Sequence, residues 1–106
     1  FLDNPPWSGN NTSLATVDCG VPLVTLPTGL MRGRHAYSIL DMMGMNDMVA
    51  DDATEYVEIA ALIGSNRSAL EEAGARLLEL RDSIYEDISV VAGLESFYRT
   101  ALYESP

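Results

Sequence analysis

Residues 21–26 read Val-Pro-Leu-Val-Thr-Leu, an almost unbroken apolar run bounded by Gly20 and by Pro27-Thr28-Gly29. Such a run, with no polar alternation, is the pattern of a parallel strand covered on both faces. The stretch ahead of it, Trp7-Ser8-Gly9-Asn10-Asn11-Thr12-Ser13-Leu14, is polar and carries a glycine. There Asn10, Asn11 or Thr12 caps a helix running to about Cys19, with Leu14 and Val17 facing inward and Gly20 as its stop. Phe1-Leu2 reads as the end of another buried strand, cut off by Asp3-Asn4-Pro5-Pro6 because proline supplies no ladder N–H. Strand, helix and strand in so short a span predict a right-handed βαβ unit.

The period then changes to that of helices. Ala36, Ile39, Leu40 and Met43 fall at i, i+3, i+4 and i+7 of a helix over residues 31–43, closed by Gly44. Met48-Val49-Ala50 reads as a short strand. Asp52 and Glu55 form a capping box for a helix with Ala53, Tyr56, Val57 and Ala60 on one face, ending near Gly64. Ser68 and Glu71 offer a second box for a helix beginning between Ser65 and Ser68, whose stripe is Leu70, Gly74, Leu77 and Ile84. A last helix over residues 89–103 carries Val90, Leu94, Phe97, Tyr98, Ala101 and Leu102, with Gly93 inside it at a cost of about 1 kcal/mol relative to Ala. The pattern is α/β in front and helix-rich behind. Residues 1–106 thus read as one domain, the C-terminal portion of a Rossmann-like doubly wound parallel sheet whose other strands lie elsewhere in a longer protein. A chain opening on Phe1 rather than Met fits a trimmed piece.

Charge narrows the partners. The net charge is −10, from 16 acidic and 6 basic residues, and every basic side chain is an arginine. Such a surface repels nucleic acid and anionic membranes, so neither is expected as a partner. A bound phosphate would have to be held by local dipoles or single arginines. The polar turn supplies such dipoles: N–H groups at a helix start, with small hydroxyls beside them, hold phosphate without a metal. Taken alone, the same turn also fits an ordinary capped helix with no ligand.

One cysteine (Cys19) and one histidine (His35) exclude a disulfide framework, a thiolate zinc site and an internal Ser-His-Asp triad. His35 reads as structural or surface. Asp51-Asp52, Glu71-Glu72 and Glu86-Asp87 read as caps and solvated faces, and no Asp-x-Asp triplet offers a divalent-metal site. Met42, Met43, Met45 and Met48 read as pliable core filling, and Trp7 as packing against the sheet. No apolar run reaches membrane-spanning length and no signal peptide is visible, which makes the cytoplasm the default compartment.

Leu2-Asp3-x-Pro5-x-x-x-Gly9-Asn10-x-Thr12, then residues 20–27, Arg34 and Tyr56-Val57-x-Ile59-Ala60, in this order and spacing, resemble the C-terminal end of the O-linked N-acetylglucosamine transferases. The resemblance runs from Leu2 to about Tyr103. It implies a GT-B glycosyltransferase, often fused to tetratricopeptide repeats, in which this segment belongs to the second Rossmann-like, donor-binding domain. Gly9, Asn10, Asn11 and Thr12 then match the turn at the donor diphosphate, with Ser13 completing the helix start that holds it; Arg34 reads equally as support for the donor phosphate charge or as a salt bridge to one of the many carboxylates. The implied enzyme moves a sugar, N-acetylglucosamine as expected donor group, from UDP to protein Ser or Thr, without a metal or other cofactor. No catalytic residue is assigned here: the base and the uracil-reading residues are expected upstream, and the piece alone is expected to be inactive. The last helix's stripe is expected to dock on the N-terminal parts of the same enzyme. One departure stands out. Where the family has an acidic residue toward the ribose, this chain has Ala15. Two alternatives follow: a non-catalytic acidic α/β scaffold or interaction module, and another GT-B enzyme such as a nucleotide-sugar epimerase.

Overall fold

The computed structural model describes residues 1–103. Three extended segments lie side by side. Leu2 bridges Val24 and Thr25 bridges Val49, both in parallel. The Asp3 N–H donates to the Val24 carbonyl and the Val24 N–H to that of Phe1, each at 3.0 Å. On the other side, the Thr25 N–H donates to Met48 at 3.1 Å and the Ala50 N–H to Thr25 at 2.9 Å. The middle segment is therefore parallel and central, as its apolar run suggests. The pairing stops there. Neither residues 21–26 nor 48–50 form the expected strand, and among the described residues a continuous sheet is not formed. Pro22 and Pro27 have no N–H to donate on either side of Val24 and Thr25, and a 3-10 turn over Asn46–Met48 consumes the start of the third segment.

The described residues form five α-helices: α1 Asn11–Asp18, α2 His35–Met42, α3 Ala53–Ser65, α4 Arg67–Leu80 and α5 Ile88–Tyr103. Helices α1 and α2 end alike. Gly20 (φ +64°) donates to Val17 and Val21 to Thr16, while Gly44 (φ +69°) donates to Asp41 and Met45 to Leu40. Each glycine takes the left-handed conformation that lets the following N–H fold back on the last turn. The helix expected over residues 31–43 is broken. Met31–Gly33 is a 3-10 turn, and α2 starts only at His35. The carbonyls that would continue it are taken: Arg32 accepts the Ser8 N–H at 2.7 Å and Gly33 the Thr28 N–H at 3.2 Å.

The caps differ in detail from the sequence pattern. Asp52 caps α3 by accepting the Glu55 N–H at 2.9 Å, but the Glu55 carboxylate reaches back to the Asp51 N–H, at 2.7 Å. Asn66, not Ser68, caps α4 through the Ala69 N–H, and Glu71 pairs with Arg67 at 2.8 Å. The core gathers Val17, Leu23, Ile39, Leu40, Met43, Met45, Met48 and Leu77. Met42 points outward instead. Helix α5 buries none of its residues, so its apolar stripe is presented to solvent. No helix among the described residues is long and apolar enough to cross a membrane.

Candidate functional site

Loops following all three parallel segments meet at one edge of the ribbon, and Asp3 sits where they meet. It is 2% exposed. A buried carboxylate is costly unless donors fill its lone pairs. Three do so: the Ser8 hydroxyl at 2.6 Å and the Thr25 hydroxyl at 2.8 Å on Oδ2, and the Gly9 N–H at 2.8 Å on Oδ1. The Ser8 hydroxyl in turn accepts the Ala36 N–H from the first turn of α2, at 2.9 Å. From the helix that follows the third segment, the Tyr56 hydroxyl of α3 donates to the Asp3 carbonyl at 2.8 Å. Burial, and then the nearby Asp3 charge, push the Tyr56 hydroxyl above the ordinary phenol range.

On this support rests the turn that opens α1. Asn10 is the N-cap residue but its side chain makes no cap bond. Ser13 takes over the local bracing, its hydroxyl donating to the Gly9 carbonyl at 2.7 Å. Of the five residues singled out in the sequence, Gly9 and Ser13 therefore turn their polar groups inward, and Ser13 is fully buried. Asn10, Asn11 and Thr12 are exposed. Among the described residues, the Asn11 and Thr12 N–H groups have no partner. A helix start with free N–H groups carries roughly half a positive charge, which suits an anion.

The arginines are arranged differently from the sequence pattern. Arg34 donates to the Thr28 carbonyl at 3.0 Å and lies 4.6 Å from the centre of the Tyr37 ring, and among the described residues it forms no salt bridge to a carboxylate. Beside the turn stands Arg32, 5.6 Å from the Trp7 ring centre. Trp7, expected against the sheet, is 66% exposed beneath it. Ala15 is exposed on α1. Asp18, a helical turn further along, accepts the Tyr85 hydroxyl at 3.0 Å and offers no substitute at the helix start.

In the sequence Asp3 stood in a proline loop and in the motif that carries the resemblance, with no role of its own. Its role joins residues far apart in the chain, which no local pattern reports.

Residues 1–88 match the profile of glycosyl transferase family 41. A probable UDP-N-acetylglucosamine–peptide N-acetylglucosaminyltransferase SPINDLY of Hordeum vulgare is 35% identical over 101 residues, 93% of this chain and 11% of that protein. A UDP-N-acetylglucosamine–peptide N-acetylglucosaminyltransferase of Caenorhabditis elegans is 33% identical over 82 residues, 77% of this chain and 7% of its own length. Among solved structures, an O-GlcNAc transferase mutant from Thermobaculum terrenum superposes with a TM-score of 0.79 at 37% identity, over 92% of this chain and 19% of that one. The chain belongs to glycosyl transferase family 41, the family of the O-GlcNAc transferases, and spans about a tenth of the length of the curated relatives it matches.

Proposed function

We propose that the chain is the donor-diphosphate segment of a glycosyltransferase that moves N-acetylglucosamine from UDP to Ser or Thr of a protein acceptor. The observation carrying this reading is the exposed start of α1, with the Asn11 and Thr12 N–H groups unpaired at the edge where the three loops converge. Open α/β sheets bind ligands at this carboxyl edge. In this reading Asn10, Asn11 and Thr12 face the diphosphate while Gly9 and Ser13 hold the turn from beneath. With a net charge of −10, the rest of the chain repels a diphosphate, so the attraction is local. The helix start stabilises the charge that builds on the leaving UDP, and displacement needs no metal. Arg34 adds its positive charge in support of the diphosphate.

The three parallel segments continue a Rossmann-like sheet supplied by N-terminal parts of the enzyme, which also supply the base and the uracil pocket. The α5 stripe docks on those parts, and the piece alone is inactive. Tetratricopeptide repeats upstream and a cytoplasmic location complete the reading. One observation favours a second reading, a non-catalytic acidic module: exposed Ala15 offers no carboxylate to a ribose.

Thr12→Val in the full-length enzyme tests the proposal, because it keeps the shape and removes a hydroxyl donor. UDP affinity and turnover should fall while the melting temperature changes little. A lower melting temperature with UDP binding intact would show that Thr12 serves the helix alone.

A further inference from the structure

We infer that Asp3 is a positioning residue for donor binding: its buried carboxylate fixes the path of the 9–13 turn without touching the ligand. The inference rests on the diphosphate reading above. Among the described residues no ion pair involves Asp3, so its charge is balanced by dipoles alone. Two of its three donors, the Ser8 hydroxyl and the Gly9 N–H, belong to the turn. The third, Thr25, belongs to the central parallel segment. Through Ser8 the same carboxylate is tied to the Ala36 N–H at the start of α2. A fully satisfied network of this kind holds one arrangement of its members. Here it holds the backbone that aims the first N–H groups of α1.

An amide of the same shape cannot do the same. A carboxylate offers two acceptor oxygens and an asparagine side chain only one. In Asp3→Asn, if the amide kept its oxygen on the Gly9 N–H, its NH₂ would face the Ser8 and Thr25 hydroxyls. The Ser8 proton would then need a new acceptor, while the Ser8 oxygen still holds the Ala36 N–H. Turned the other way, the NH₂ would oppose the Gly9 N–H. Either arrangement loosens the turn, and bonds to an ionised acceptor are about twice as strong as neutral ones. A site built to bind a diphosphate with backbone donors depends on that placement.

The experiment uses full-length enzyme carrying Asp3→Asn, with Thr12→Val and Leu77→Val beside it. UDP affinity is read by calorimetry, donor KM and kcat by steady-state kinetics, and stability by melting. Asp3→Asn should raise the UDP Kd and the donor KM about tenfold, with kcat changed less, the scale of one charge-assisted hydrogen bond. Leu77→Val, buried in the core away from the turn, should lower the melting temperature and leave the UDP Kd alone. If Thr12→Val weakens UDP binding but Asp3→Asn only lowers the melting temperature, Asp3 is structural and the inference is overturned. If neither variant changes UDP affinity, the diphosphate reading itself fails. Should Asp3→Asn not fold, Ser8→Ala removes one turn donor and keeps the carboxylate. An unchanged Kd in folded Ser8→Ala would overturn the inference equally.

Discussion

Gly20 and Gly74 meet backbone to backbone: a Cβ built on Gly74 would lie 2.5 Å from the Gly20 carbonyl oxygen. This contact sets how closely α4 approaches the end of α1, and with it the tilt of the helix whose other end carries the candidate site. Gly74→Ala gains about 1 kcal/mol of helix propensity. It also forces a backbone shift, and overpacking of this kind costs typically about 1–3 kcal/mol. Melting temperature should fall. Gly93→Ala on α5, with nothing within 4 Å of the new Cβ, should raise it. Thermal unfolding of the two variants side by side checks both signs.

Gly74 also shows what the sequence could and could not convey. Its place in the α4 stripe follows from helical spacing, but its need for glycine comes from a partner on another element. Most helix spans and the stops at Gly20 and Gly44 were readable because helical spacing and a glycine turn are local. The break at Arg34 was not, because the competing donors, the N–H groups of Ser8 and Thr28, come from other loops. The shortened pairing at residues 24 and 25 was half-readable: the two prolines were in view, and their effect on the ladder depended on which neighbours the segment met. At the site, the polar turn was visible as a motif. The burial of Asp3, the inward roles of Gly9 and Ser13 and the Arg32–Trp7 pair required the fold.

Ala15→Glu in the full-length enzyme should tighten UDP binding. A carboxylate there would reach the ribose hydroxyls that the alanine leaves free, and such a bond is worth about 1.5–3 kcal/mol, or roughly tenfold to a hundredfold. Calorimetry decides it. Unchanged affinity would mean that the ribose is held elsewhere, and would favour the non-catalytic module.

Acid should weaken the link between α4 and the Asn46–Met48 turn. Arg76 meets the Asp47 carboxylate at 2.7 and 3.1 Å. That hydrogen-bonded pairing holds Asp47 below its ordinary 3.8. With the folded value depressed, the contribution is present above 3.8 and is lost as pH falls through the lower folded value. Both side chains are more than a third exposed, so the effect is small, below about 1 kcal/mol. Urea unfolding between about pH 5 and about pH 2.5 should show a shallower loss of stability in Asp47→Asn than in the unaltered protein. Identical slopes would remove the pair from the account.

The most direct measurement of the central claim is a crystal structure of the full-length enzyme with UDP. Diphosphate oxygens should lie about 2.7–3.2 Å from the Asn11 and Thr12 nitrogens, over a turn still anchored by the Gly9 N–H on Asp3. A diphosphate bound elsewhere, with water alone at the start of α1, would contradict it.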